Sequence, residues 1–288
     1  MNELQYCVDG ELVPASEATV SVTDRGFKYG DAAFETLRSY DGVPFEWDRH
    51  YDRLQRTCDL LNFDHGYERG ELLNHVRRTL RANGFSEAYI RLTVTRGEHS
   101  GKLAPPTDPS PTLVILVSEL PRSGVEGTSV WDTPAEVEIV DTVRIPDSAV
   151  PAAAKTHNYL NGIMARSGSE ADETLMLDVD GNLTEGATSN LFFCDDGVLK
   201  TPSLDGPVLP GITRDVVLEL ANERDIAVER DTYRPDDLYR ADDAFVTNTT
   251  WEVRPVTRVG DRRFDTSELT RTIRDAFDAC VESAYDAS

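Results

Sequence analysis

The chain has 288 residues, enough for two modest domains or one large one. Its 52 acidic and 29 basic residues leave a formal charge of −23, a field that disfavours nucleic acid and anionic membrane surfaces. No apolar run approaches membrane-spanning length, and no basic segment followed by an apolar one opens the chain, so a soluble cytoplasmic protein is expected.

The acidic residues fall in short scattered runs such as "RPDDLYRADDAF", and apolar residues stay plentiful and regularly patterned, which argues against disorder. High acid with only four lysines, Lys28, Lys102, Lys155 and Lys200, points to adaptation to a very salty cytoplasm, where self-repulsion is screened. Cys7, Cys58, Cys194 and Cys280 have neither metal-site nor CxxC spacing and read as core thiols in a reducing compartment.

In chain order, "LQYCVDGELVP" predicts a strand with a turn at Asp9-Gly10. "FKYGDAAFETLRSYDGVPFEW" reads as strand, Asp-Gly turn, strand. Helical spacing follows in "DRHYDRLQRTCDLLNF", with Tyr51, Leu54, Cys58 and Leu61 on one face. A second helix, "ERGELLNHVRRTLRANG", is closed by Gly84. Strands "EAYIRLTVTRG" and "PTLVILVSEL" come next. The polar stretch at 121–127 predicts a linker between an N-terminal domain, 1–120, and a C-terminal domain, 128–288.

The second half opens with strand pattern in "TSVWDTPAEVEIVD" and reaches a helix in "NYLNGIMARSGSEA". "ETLMLDVDG" and "NLFFCDDGVLKTP" read as strands, and "GITRDVVLELANERD" as a helix. "DDAFVTNTTWEVRPV" is a strand ending in a turn, and "SELTRTIRDAFDACVESAYD" is a closing amphipathic helix. The alternation gives an α+β or α/β protein of two domains, with sites expected between them.

Several residues could carry chemistry. Lys155 follows three alanines in "AVPAAAKTHNYLNG"; small and apolar neighbours lower an amine's pKa, as a Schiff-base lysine needs. From that stretch alone an ordinary loop lysine is the readier reading. Gly211 and Thr213 in "LPGITRDVV" stand at a helix start, where N–H groups bind anions, or Thr213 merely belongs to a capped helix. Glu185, among small residues between a turn and a strand, could ion-pair with a ring nitrogen or be an exposed turn acid. Arg53 sits beside a buried helical stripe and needs an anionic partner or a route to water. Amine, carboxylate and anion ligands together fit pyridoxal 5′-phosphate.

The sequence resembles the class IV aminotransferases, the fold-type IV pyridoxal-phosphate enzymes, which include branched-chain aminotransferases, D-amino acid transaminases and aminodeoxychorismate lyases. The resemblance runs from about Tyr6 to the last helix. It rests on "YGDAAFETLR", "RHYDRL", "YIRLTVTRG", "AKTHNYLNGI" with "TEGATSNLFF", and "LPGITRD" with "NTTWEVRPV", in that order.

The resemblance implies an α+β fold with a small N-terminal α/β domain and a larger cofactor-anchoring domain with a barrel-like core. It also implies a homodimer acting on small amino and keto acids. Lys155 would be the Schiff-base lysine and proton shuttle, Glu185 the pyridine-nitrogen partner, and Arg53 a phosphate ligand with Ile212, Thr213 and Thr249. Tyr159 would bond the cofactor's phenolic oxygen, although in branched-chain enzymes that tyrosine usually stands one residue further from the lysine. Around the substrate it implies Tyr29, Phe34, Thr36, Tyr89, Arg91, Thr249 and Thr250. "YIR" and "LPGITRD" lean towards branched-chain transamination; Thr36 and "SNLFF" lean towards the lyase. Arg91 leans away from the D-amino acid enzymes. A non-catalytic descendant that kept the fold is disfavoured by the intact set of Lys155, Glu185 and Arg53.

Overall fold

Asp9 and Gly10 both take positive φ, 48° and 85°, and fold β1 (Gln5–Val8) back onto β2 (Glu11–Pro14). This is the primed hairpin turn whose twist matches that of paired strands. The same device recurs at Asp41-Gly42 and Asp196-Gly197. The computed structural model describes residues 3–124 and 133–286. It divides the chain into two compact units: Met1–Val130 with Ala154–Asn158 and Ala284–Ser288, and Trp131–Ala153 with Tyr159–Ser283.

The first unit continues with α1 (Arg25–Tyr29), β3 (Ala32–Tyr40), the short β4 (Val43–Pro44), α2 (Trp47–Leu60), α3 (Arg69–Asn83), β5 (Ala88–Thr95) and β6 (Thr112–Glu119). Its six strands run in the order β2-β1-β6-β5-β3-β4, every pair antiparallel. Residues two apart on a strand share a face. One face gives Ala33, Leu37, Ile90, Leu92 and Val94 to a core shared with Leu54 and Cys58 of α2 and Leu72, Val76 and Leu80 of α3. Gly84 ends α3 in the left-handed conformation, φ 70°, as its position after the last periodic residue predicts.

The second unit comprises β7 (Ala135–Ile139), α4 (Leu160–Arg166), β8 (Glu173–Leu177), β9 (Leu183–Gly186), β10 (Asn190–Asp195), β11 (Val198–Pro202), α5 (Ile212–Glu223), β12 (Val228–Asp231), α6 (Pro235–Arg240), β13 (Asp243–Asn248), β14 (Glu252–Val259), β15 (Arg262–Arg263) and α7 (Glu268–Asp286). Its sheet runs β12-β11-β10-β13-β14-β7-β8-β9, with β15 on β14. Pairings β11–β12, β14–β7 and β7–β8 are parallel and the others antiparallel. The terminal strand β9 also packs against β10, so the sheet curls back on itself, in keeping with the expected α+β class and barrel-like core.

Three expectations change. The sequence assigns Lys155 to the C-terminal domain, but Ala154–Asn158 belongs to the first unit. The physical reason is strand pairing: Thr156 bridges Ala33, Phe34 N–H donates to Lys155 O at 3.0 Å, and His157 N–H donates to Ala32 O at 3.0 Å. Glu185 lies inside strand β9 rather than between a turn and a strand, and is buried. Cys7, Cys58 and Cys194 are buried thiols, whereas Cys280 on α7 is only half-buried. Of the expected linker, residues 125–127 lie outside the described residues.

Candidate active site

Helix α2 carries a polar face into the first unit. His50, Arg53 and Thr57, three and four residues apart, fall on one side of the helix and are buried. Opposite them on β3 stands Glu35, between Ala33 and Leu37 on the core face of the sheet. Arg53 Nε donates to Glu35 Oε1 at 2.8 Å and Nη2 to Oε2 at 2.6 Å. His50 Nδ1 lies 2.7 Å from Glu35 Oε2; the carboxylate accepts, so Nδ1 carries the hydrogen. Burial would raise the Glu35 pKa, but the Arg53 charge and hydrogen bonds hold it at about 2. Burial pushes His50 the other way, against the pull of Glu35, and favours neutral imidazole. The anionic partner that the sequence demands for Arg53 is therefore Glu35, with Arg53 only 3 % exposed.

Thr57 ties the same helix to the lysine segment. Its Oγ1 accepts the backbone N–H of Lys155 at 3.0 Å. With the Phe34–Lys155 and Ala32–His157 bonds, this pins the backbone on both sides of the lysine. The Lys155 amine lies over the Phe34 ring, 4.6 Å from its centroid.

The β3–β5 register sets Phe34 opposite Thr93, Thr36 opposite Arg91 and Arg38 opposite Tyr89. Phe34, Thr36, Tyr89 and Arg91 thus share one sheet face, the one turned from α2 and α3. The Arg91 guanidinium packs on the Phe34 ring at 3.9 Å. His157 adds to this group: its ring meets Phe34 edge-on at 5.6 Å, and its Nε2 lies 3.3 Å from Thr93 Oγ1. Burial, then the Arg91 charge, lowers the His157 pKa to about 4. Tyr29 ends α1, 42 % exposed, with the cations of Arg25 and Lys28 at 5.2 and 5.0 Å from its ring centroid.

In the second unit, Glu185 sits in a nest of donors. Arg144 Nε and Nη2 both reach Oε1 at 3.0 Å. Oε2 accepts the Leu209 backbone N–H at 2.9 Å and Asn190 Nδ2 at 3.3 Å. Asn190 also donates to Leu209 O at 3.0 Å, and its Oδ1 would stand 1.9 Å from a Cβ placed on Gly211. Only glycine fits where this asparagine meets the start of α5. Ile212 and Thr213 form the first turn of α5 after Gly211 and are buried. Tyr159 precedes α4 and is half-buried. Asn161 on α4 holds the segment around Arg144, accepting from Ile145 N–H at 3.2 Å and donating to Val143 O at 2.9 Å. Thr249 and Thr250 occupy the β13–β14 turn, which Asn248 Oδ1 closes by accepting from Thr250 N, Thr250 Oγ1 and Trp251 N.

The expected residues therefore fall into two described groups, Tyr29, Phe34, Thr36, Arg53, Tyr89, Arg91 and Lys155 in the first unit and Tyr159, Glu185, Ile212, Thr213, Thr249 and Thr250 in the second. Sequence reasoning missed Glu35, His50, Thr57, Arg144, His157 and Asn190. A signal existed for Glu35: it occupies a core position in the period-two pattern Ala33, Glu35, Leu37, where a charge needs a buried partner.

The family described as Amino-transferase class IV matches residues 32–259. The chain belongs to the class IV aminotransferases. It is 35 % identical over 284 residues to the putative branched-chain-amino-acid aminotransferase of Methanocaldococcus jannaschii, covering 95 % of each chain. It is 31 % identical over 258 residues to the aminodeoxychorismate lyase of Bacillus subtilis, covering 88 % of this chain and 85 % of that one. The crystal structure of the branched-chain aminotransferase of Thermoproteus uzoniensis with norvaline superposes with a TM-score of 0.90 at 29 % identity, covering 97 % of this chain and 95 % of that one. Class IV aminotransferases depend on pyridoxal phosphate, and the chain is a pyridoxal-phosphate-dependent enzyme of this aminotransferase family. Its donor set fits that cofactor: an amine held beside an aromatic ring, a buried carboxylate that accepts from four donors, and a helix start that a side chain on Gly211 would crowd.

Proposed function

We propose that the protein moves an amino group between a branched-chain or other hydrophobic amino acid and a 2-oxo acid such as 2-oxoglutarate, with Lys155 as the covalent anchor of the cofactor. The observation that carries this reading is the Lys155 amine over Phe34, with its backbone pinned from Thr57 and β3 and Arg91 on the same ring. Bound pyridoxal phosphate supplies a carbonyl that takes up amines and a ring that draws electrons from the substrate's α-carbon. Lys155 Nζ would take the substrate's α-proton. Glu185, oriented by Arg144 and the Leu209 N–H, would hold the ring-nitrogen proton. Arg53, Ile212, Thr213 and Thr249 serve the phosphate, and Tyr159 the phenolic oxygen. Arg91, with Tyr89, binds substrate carboxylate, while Tyr29, Phe34, Thr36 and the Thr249-Thr250 turn bound the substrate.

The test is a panel of half-reactions followed by absorbance, with L- and D-amino acids and without a keto acid. Conversion by L-leucine, L-isoleucine or L-valine, abolished in Lys155→Ala, supports the reading. Borohydride should fix the cofactor on Lys155. A second reading, aminodeoxychorismate lyase, is favoured by the Bacillus subtilis relative and by Thr36 and the run "SNLFF". Pyruvate release from aminodeoxychorismate without any amino-acid half-reaction would replace the first reading by the second. A homodimer and a salt-adapted enzyme belong to the same proposal, and light scattering and salt titration test them.

A further inference from the structure

Arg53, as a phosphate ligand, would need its guanidinium at a fixed place and in a fixed plane. The structure shows what fixes it. A guanidinium offers five N–H groups in a rigid fork, and Glu35 engages Nε and Nη2 together from the side, at 2.8 and 2.6 Å. Glu35 is itself held by His50 Nδ1 at 2.7 Å, and both side chains are 2 % exposed. A fork of two bonds defines the guanidinium plane as well as its position, which a single bond does not. The carboxylate also cancels the arginine's charge in a buried setting, where an uncompensated guanidinium would be costly. Apolar replacement of a buried ion pair often costs a fold nothing, so core stability alone does not call for this triad.

We infer that Glu35, steadied by His50, is a positioning residue that presents Arg53 to the phosphate of the cofactor. This rests on the reading of Arg53 as a phosphate ligand. Glu35 touches neither cofactor nor substrate in this role; it acts through Arg53. His50 and Arg53 are one turn apart on α2, and Thr57 on the same face holds the Lys155 backbone. One helix face thereby sets both the phosphate-facing cation and the anchoring lysine.

The experiment compares binding of pyridoxal 5′-phosphate with binding of pyridoxal, which lacks the phosphate, to the full-length chain stripped of cofactor. Arg53→Ala should lower the preference for the phosphorylated form by about a hundredfold, and Glu35→Gln by at least about tenfold, with pyridoxal affinity changed by less than about threefold. A merely structural role for Glu35 would weaken both ligands alike and leave the ratio unchanged. Glu35→Asp keeps the charge but shortens the reach by one methylene, and should give an intermediate loss of preference; it carries the decision if Glu35→Gln does not fold. A changed ratio in Arg53→Ala with an unchanged ratio in the Glu35 variants overturns the positioning role alone. An unchanged ratio in Arg53→Ala overturns the phosphate role of Arg53, and the inference with it.

Discussion

The backbone N–H of Lys155 donates to Thr57 Oγ1 at 3.0 Å, joining a helix to a residue 98 positions later in the chain. Thr57 is fully buried, so no water competes for that hydroxyl. Thr57→Val keeps the shape and removes this acceptor, and should cost about 1–3 kcal/mol of stability. Thr57→Ser keeps the hydroxyl and should recover most of it. Thermal midpoints of the three proteins check this, and the rate of borohydride trapping on Lys155 reports whether the lysine's placement suffers too. Equal midpoints for the valine and serine variants would show that the bond contributes nothing.

His157 gives a pH dependence with a definite sign. Its pKa in the fold is about 4, lowered by burial and then by Arg91, with Asp24 opposing, while an unfolded histidine titrates near about 6.5. As pH falls, the unfolded chain takes this proton first, so the folded state loses ground. The contribution is present in full above about 6.5 and is lost towards about 4. His157→Asn has no such proton to take. Its thermal midpoint should fall less than that of the parent between about pH 7 and about pH 4.5, and parallel curves would count against the histidine's neutral state.

Glu173 on β8 is a fully buried carboxylate whose satisfaction comes from neutral groups. Thr174 N–H reaches Oε1 at 2.9 Å, while Thr188 N–H at 3.0 Å, Thr188 Oγ1 at 2.7 Å and Ser189 Oγ at 2.9 Å reach Oε2. These bonds fix the turn that follows Glu185. Glu173→Gln puts an amide among donors and should destabilise by about 2 kcal/mol. Gly186→Ala strikes the same place, because its Cβ would lie 2.4 Å from Ser189 Oγ and 2.9 Å from Glu173 Cδ. Denaturant midpoints of the two variants and their combination should show losses smaller together than summed, since both break one contact set.

What could be read from the sequence was what depends on local pattern. Period two gave β5 and β6, and Asp-Gly pairs gave the hairpin turns, because both are fixed by neighbours in sequence. The lysine, carboxylate and arginine were legible as types that a buried setting must explain. Their partners were not. Arg53 calls for an anion, but Glu35 is 18 residues away on another element, and only the fold brings the two together. Arg144 and Glu185 are 41 residues apart and meet for the same reason. The lysine segment belongs to the first unit through its pairing with Ala33, which crosses much of the chain, and no local feature announces a bridge of that span.

The charge of −23 makes the last prediction the most general one. The Debye length is about 10 Å in 0.1 M salt, long enough for carboxylates on one surface to repel, and at 1 M it falls to about 3 Å. Self-repulsion opposes the compact state, so screening should stabilise it. Potassium chloride is the right salt, since sulfate would also strengthen burial of apolar surface and confound the result. A relief of about 2 kcal/mol corresponds to a rise of roughly 3 °C in Tm for a chain of this size. Tm measured from about 0.1 to about 2 M potassium chloride should rise by about that much and then level off as screening saturates. Transaminase activity should persist over the same range. A Tm that is highest at low salt and declines with addition would mean that the acidic surface brings no net repulsion to be screened, and that the adaptation read from the composition is absent.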